Sequence, residues 1–198
     1  MTTTTTRCHR QTVTVLFVDI VGYTTLVEDM DCADVRDLQT DYFGTVSAVI
    51  ACGGGVVEKY VGDAVMAVFG ADEGDAPVTA AAAAVRAGWE AQNALRGRRL
   101  AGRYPVRTRV GLATGAVIID RDATRDGGYG MVSGSVVATA ARLQQYAPAD
   151  TVVVDGGTRL ATDELVAYQE LPPVAVAGRP YPMELWRALH PQAALCAA

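Results

Sequence analysis

The sequence predicts an α+β domain built on a mixed β-sheet flanked by helices. Strand-like and helix-like segments alternate along most of the chain, which is typical of layered domains. Residues 56–69, however, read as a β-hairpin, VVEKY and VMAVF around a Gly62-Asp63 turn. A hairpin is antiparallel, so the sheet should be mixed and not doubly wound.

Composition excludes several functional classes. The chain has 198 residues, of which 50% are apolar, enough for one folded domain with a substantial core. A net charge of -5 argues against a nucleic-acid surface held by phosphate neutralisation. No window approaches the roughly 20 uninterrupted apolar residues of a membrane segment. Four scattered cysteines without a CxxC pair, and no leader-like N-terminus, favour a cytoplasmic location.

The ends of the chain are expected to lie outside the domain. Residues 1–11 are threonine-rich and predict a flexible N-terminal tail. We place the domain at 12–190 and a C-terminal tail at 191–198. Cys8 and His9 are two potential metal ligands, but we interpret them as part of the N-terminal tail.

The first half of the chain begins with a strand over Val13–Asp19. Its near-continuous apolar run indicates a central strand covered on both faces. Thr24 and Thr25 can cap a helix that follows it. Helical spacing then predicts a helix over 34–50, ended by three glycines, with apolar positions Val35, Leu38, Tyr42, Val46 and Val49.

The second half of the chain predicts further helices and strands. Helices are expected at 77–95, 134–146 and 156–162. Strands are expected at 106–113, 151–155 and 183–189, and 116–119 either continues the first of these or begins a neighbour. The polar, glycine-rich residues 120–130 between them predict a loop or a hairpin tip.

Asp19 and Asp63 are the two informative acids. Asp19 ends a strand before a glycine turn, and Asp63 lies in the turn of the hairpin. If the hairpin pairs beside the first strand, the two carboxylates converge. With a backbone carbonyl they would form a hard-oxygen site for Mg²⁺ or Mn²⁺. The alternative is that Asp19 is only a helix cap and Asp63 only a turn residue.

Four motifs in order carry a family resemblance: FVDIVGYTTL, EKYVGDAVMAVFG, RVGLATGAV and GSVVATAARL. Together they resemble the catalytic domain of class III nucleotidyl cyclases, in particular the compact bacterial forms. The resemblance covers most of residues 13–187. It implies the family's ferredoxin-like, palm-type mixed sheet flanked by helices.

The resemblance implies an adenylyl cyclase that converts ATP to 3′,5′-cyclic AMP and pyrophosphate. Family members act as head-to-tail homodimers and use two metal ions, here Mg²⁺ or Mn²⁺. One subunit would supply the metal ligands, which are Asp19, the Ile20 carbonyl and Asp63. Its backbone amides would also bind the phosphates, namely those of Val21, Gly22, Tyr23 and Thr24.

The partner subunit would supply Lys59 and the helix at 134–146. Lys59 lies four residues before Asp63, where the family places its purine-reading lysine. Adenine N1 accepts a hydrogen bond and lysine only donates, so Lys59 favours ATP. Arg142 corresponds to the family's transition-state arginine and would stabilise charge on the transferring phosphoryl group. The alternative for both residues is an ordinary solvated surface position.

Three positions depart from the family pattern. Ala138 stands where the family usually has a ribose-orienting Asn, and Met131 stands at the second purine-reading position, usually Asp or Thr. Ala177 replaces a common Lys, which leaves Arg179 as the nearest triphosphate ligand. These changes support two alternatives: a degenerate regulatory module that binds nucleotide or only dimerises, and a cyclase with relaxed ATP/GTP selectivity.

Overall fold

The computed structural model describes residues 8–72, 74–120, 131–176, 178 and 180–191. The helices are α1 (Tyr23–Val27), α2 (Cys32–Cys52), α3 (Pro77–Leu95), α4 (Ser135–Tyr146) and α5 (Gly156–Thr162). The strands of the first half are β1 (Cys8–Ile20), β2 (Val56–Val61), β3 (Ala64–Phe69), β4 (Arg99–Leu100) and β5 (Tyr104–Pro105). Those of the second half are β6 (Thr108–Asp120), β7 (Val132–Ser133), β8 (Val152–Val154), β9 (Tyr168–Val174) and β10 (Met183–Ala188).

One eight-stranded sheet organises the domain, in the order β2-β3-β1-β6-β8-β10-β9, with β7 added to β6. The pair β6/β8 is parallel and the other pairs of this sheet are antiparallel. The predicted mixed α+β architecture is therefore confirmed. None of the helices in the described ranges combines the length and the hydropathy that a membrane span requires.

The central pair of strands corrects the predicted N-terminal tail. β1 pairs with β6 along its whole length, from Cys8 opposite Asp120 to Ile20 opposite Thr108. Cys8–Gln11 therefore belong to the sheet, because β6 satisfies their backbone groups. The predicted tail is therefore wrong for Cys8–Gln11, and its other residues lie outside the described part of the chain.

β1 is buried on both faces, as its apolar run predicts. Leu16, Val18 and Ile20 belong to a core formed with α2 and α3. Val13, Val15 and Phe17 belong to a second core formed with α4. We call these two sides of the sheet the α2/α3 face and the α4 face.

A close helix–sheet contact positions α4 over β6. A Cβ atom added at Gly111 would lie 2.2 Å from the backbone nitrogen of Gln144 and 2.6 Å from the carbonyl oxygen of Ala140. Only glycine permits this approach. The C-terminal half of α4 consequently lies directly above the strand that pairs with the end of β1.

Candidate active site

Asp19 and Asp63 meet at the end of the central strand. β3 pairs with β1, so the β2/β3 turn lies beside the last residues of β1. The backbone N–H of Ile20 donates to Oδ2 of Asp63 over 3.1 Å. The convergence of the two acids expected from the sequence is therefore present in the fold.

The environment of Asp63 favours its protonated form. Burial, followed by the hydrogen bond and the charge of the neighbouring Asp19 carboxylate, raises the pKa of Asp63 from 3.8 to about 7. The N–H of Ile20 opposes this shift only in part. Two ionised carboxylates this close repel each other, and a cation bound between them would relieve that repulsion.

Asp19 is held by two side chains that sequence reasoning missed. Its Oδ2 accepts from Arg109 Nε at 3.1 Å, from Arg109 Nη2 at 3.0 Å and from Gln144 Nε2 at 2.5 Å. Arg109 stands directly opposite Asp19 in the β1/β6 register. All three bonds reach the same oxygen, so they fix the orientation of the carboxylate and leave Oδ1 to other partners.

Signals for these two residues exist in the sequence but are weak. Arg109 begins the RVGLATGAV motif, and Gln144 follows Arg142 by two positions on α4. Neither signal identifies Asp19 as the partner, because that requires the strand register and the helix placement.

Tyr42 of α2 supports the end of β1 from the α2/α3 face. Its side chain is fully buried, and its hydroxyl donates to the Val18 carbonyl over 3.0 Å. Burial raises the pKa of Tyr42 well above its ordinary value, and the charges of Asp19 and Asp63 raise it further. The phenol therefore remains a hydrogen-bond donor under the carboxylate pair.

The turn after β1 shows that the predicted phosphate-binding amides are not all available. The N–H of Val21 donates to the Arg107 carbonyl over 2.9 Å, so this amide is already used within the sheet. Gly22 has φ 73° and is the N-cap of α1, which corrects the expectation that Thr24 or Thr25 caps it. The amides of Gly22, Tyr23 and Thr24 open α1, where first-turn amides have no partner within the helix.

The remaining predicted residues stand on β2, just before β7 and on α4. Lys59 is on β2, and its Nζ lies 3.3 Å from Oε2 of Glu58. Met131, just before β7, and Arg142 on α4 are both half-buried. Within the described part of the chain, no hydrogen bond or ion pair joins Arg142 to either carboxylate. Arg179 lies outside the described residues.

The donor set suits a divalent cation bound mainly by oxygen. It comprises two carboxylates, with the Ile20 carbonyl between them in sequence, which are ligands that Mg²⁺ and Mn²⁺ accept. Over the described ranges, no group of three or more His, Cys, Asp or Glu side chains forms a metal cluster. The raised pKa of Asp63, caused by burial and by the neighbouring Asp19 carboxylate, favours a cation here, because a bound cation would stabilise the ionised form.

The site lies where a hairpin turn meets the end of the central strand of a mixed sheet, and both elements fall within the match to one protein family. Residues 6–187 match the family model for the adenylate and guanylate cyclase catalytic domain, and the chain belongs to this family. It is thus a class III cyclase catalytic domain.

Solved structures share the fold closely. The adenylyl cyclase CyaB from P. aeruginosa superposes with a TM-score of 0.82 at 24% identity, over 92% of this chain and 96% of that chain. The guanylyl cyclase Cya2 superposes with a TM-score of 0.81 at 26% identity, over 91% and 92% of the two chains. The same fold thus occurs in cyclases of either purine specificity.

Two relatives come from Rhizobium meliloti (strain 1021). An uncharacterised protein is 32% identical over 187 residues, which is 91% of this chain and 18% of the relative. Adenylate cyclase 1 is 26% identical over 186 residues, which is 91% of this chain and 28% of the relative. The chain therefore spans less than a third of the length of these relatives.

Proposed function

We propose that this domain is an adenylyl cyclase, which converts ATP to 3′,5′-cyclic AMP and pyrophosphate at a homodimer interface. The carboxylate pair carries the proposal. Asp19 is held in one orientation by Arg109 and Gln144, while the pKa of Asp63 is raised to about 7. Arg109 compensates the charge of Asp19 but not that of Asp63, so a cation bound between the two acids would relieve the remaining repulsion.

Asp19, Asp63 and the Ile20 carbonyl would hold Mg²⁺ or Mn²⁺. When bound, such ions supply activation of the attacking ribose oxygen and neutralisation of the leaving pyrophosphate. Arg109 and Gln144 orient Asp19 through Oδ2. The family's use of divalent metal ions agrees with this assignment.

The phosphates would bind at the start of α1, through the amides of Gly22, Tyr23 and Thr24. The left-handed Gly22 makes the tight turn from which α1 begins. Arg179 remains a predicted further ligand of the triphosphate.

The purine would be read by Lys59, which donates to adenine N1. Met131 offers only a weak thioether acceptor to the adenine amino group. ATP is therefore the favoured substrate, with softer discrimination against GTP than a carboxylate or hydroxyl would provide.

The partner subunit would bring Lys59 and Arg142 to the carboxylate pair. Arg142 forms no hydrogen bond or ion pair with Asp19 or Asp63 within the described part of a single chain. Arg142 would stabilise charge on the transferring phosphoryl group. The site is then complete only in a dimer.

The test is cyclic AMP formation from ATP with Mn²⁺ over a range of protein concentrations. Specific activity should rise with concentration if the site spans two subunits. Asp63→Ala should abolish turnover, while the matched Asp163→Ala, an exposed acid after α5, should not. Undiminished product from Asp63→Ala would refute the metal assignment.

A second candidate is a regulatory domain that binds nucleotide, or only dimerises, and has little activity. The favouring observation is Ala138, an exposed methyl group at the family's Asn position on α4. Nucleotide binding without product would support this candidate. Parallel assays with ATP and GTP test the third possibility, a cyclase with relaxed selectivity.

A further inference from the structure

A β-bulge interrupts the edge strand β2 at Glu58. Val57 stands opposite Ala67, and Lys59 stands opposite Met66, the next residue of β3. Two steps along β2 therefore correspond to one step along β3, which makes Glu58 the inserted residue. Bulges commonly redirect a side chain next to a functional site.

The bulge transfers Lys59 to the other face of the sheet. In a regular strand Val57 and Lys59 would project from the same side. Here Val57 packs on the α2/α3 face, whereas Lys59 is opposite Met66, a member of the core on the α4 face. Asp19 also lies on the α4 face, where Gln144 of α4 binds it. Lys59 thus shares the face of the carboxylates because of the inserted residue.

Tyr60 shows that regular alternation resumes after the bulge. It is opposite Val65 of the α2/α3 core, and its ring centroid lies 4.5 Å from that of Phe43 on α2. The Tyr60 hydroxyl also lies 3.0 Å from that of Ser47 on the same helix. The strand is therefore anchored on α2 immediately after Lys59, which fixes the bulge in place.

The Glu58 carboxylate is buried without a hydrogen bond. Its side chain is 0% exposed, and neither oxygen has a hydrogen-bond partner in the described part of the chain. The Lys59 ammonium, 3.3 Å from Oε2, supplies the compensating charge. A buried carboxylate is costly unless a cation is held against it, so the pair favours positions of the Lys59 ammonium close to Glu58.

We propose that Glu58 is a positioning residue that fixes the Lys59 ammonium on the α4 face and thereby determines selectivity between ATP and GTP. The proposal rests on the assignment of Lys59 as the purine-reading residue. A lysine ammonium on a flexible four-carbon stem discriminates poorly unless its direction is fixed. Glu58 is itself too deeply buried to touch the nucleotide, so it acts through Lys59.

The experiment is a double-mutant cycle on purine selectivity. The variants are Glu58→Gln, Lys59→Ala and the double variant, with Glu170→Gln on the exposed edge strand β9 as the matched control. Selectivity is the ratio of kcat/KM for ATP to that for GTP. It is also measured as the ratio of nucleotide affinities, by displacement of a fluorescent ATP analogue, which requires no turnover.

Glu58→Gln should lower both ratios by about fivefold to tenfold, within the range for directly contacting residues. In the Lys59→Ala background the same substitution should change neither ratio, and Glu170→Gln should change neither in the wild type. Glu58→Asp, which keeps the charge, should retain most of the selectivity. An unchanged ratio in Glu58→Gln, or equal effects with and without Lys59, would overturn the proposal.

Unfolding measurements keep the proposal testable if Glu58→Gln folds poorly. Lys59→Ala leaves the Glu58 carboxylate buried and unpaired, so the melting temperature of this variant should fall. Adding Glu58→Gln to Lys59→Ala should restore the melting temperature. A double variant that is less stable than Lys59→Ala would contradict the pairing. Absence of cyclic AMP from the wild type would instead refute the proposed function, while the affinity ratios would still test Glu58.

Discussion

Replacing Asp63 with Asn should stabilise the metal-free domain while abolishing cyclase activity. The Asn oxygen can still accept from the Ile20 N–H, which now binds Asp63 Oδ2 at 3.1 Å. The new amide group can donate to the Asp19 carboxylate. The substitution therefore preserves shape and hydrogen bonding while it removes one of two crowded negative charges.

The size of the effect follows from the pKa of Asp63. Raising it from 3.8 to about 7 corresponds to ~4 kcal/mol of unfavourable free energy when the carboxyl is fully ionised. Asp63 is only half-buried, so solvent screening reduces this to ~1–2 kcal/mol. For a domain of this size we expect a rise in Tm of about 3–6 °C.

The sign of the pH dependence is also defined. The folded state binds the Asp63 proton more tightly than the unfolded state. The unfavourable free energy of the ionised carboxyl is therefore present above about pH 7 and disappears towards pH 3.8. The advantage of Asp63→Asn should therefore shrink as the pH falls through this window.

Thermal unfolding in EDTA at pH 8 and pH 5 measures both effects, with Asp163→Asn as the matched control. Adding Mn²⁺ at pH 8 should stabilise the wild type, because the cation binds the folded state, and should stabilise Asp63→Asn much less. Lower stability of Asp63→Asn at pH 8, or an advantage independent of pH, would refute the reasoning.

Three further predictions concern the neighbours of the pair. Arg109→Ala leaves Asp19 without its cation and should destabilise the fold by ~2 kcal/mol in chemical unfolding. The variant should also lose Mn²⁺-dependent turnover. A stability equal to that of the wild type would show that Arg109 has no structural role. Arg142→Ala should lower kcat more than nucleotide affinity, and an unchanged kcat would remove its proposed role. Gly111→Ala should destabilise the fold by ~2 kcal/mol, because its Cβ would lie 2.2 Å from the Gln144 backbone nitrogen. An unchanged free energy of unfolding would show that α4 can move away from β6.

The extent of the sheet was predicted only in part from the sequence. β1 begins at Cys8, within the predicted tail, because polar residues there are paired by β6 and not by hydrophobic burial. β9 contains Pro172 and Pro173, which argue against a strand, yet it lies at the sheet edge where prolines are tolerated. Both cases depend on the partner strand, which local patterns do not identify.

The candidate site was also predicted in part. The convergence of Asp19 and Asp63 could be predicted, because an acid at a strand end and an acid in a hairpin turn are local signals. The motif around Val21 predicts an amide free to bind phosphate, but that amide donates to the Arg107 carbonyl, 86 positions away in numbering. Long-range backbone pairing of this kind cannot be inferred from a short motif.

The sequence by itself determined the α+β class, the buried central strand, the hairpin and the family, because these depend on local periodicity and on the order of short motifs. Only the tertiary structure decided what surrounds each acid. The β1/β6 register puts Arg109 opposite Asp19, and the close approach at Gly111 brings Gln144 to the same oxygen. The bulge at Glu58 decides which face Lys59 occupies, since inserting one residue reverses the alternation of a strand.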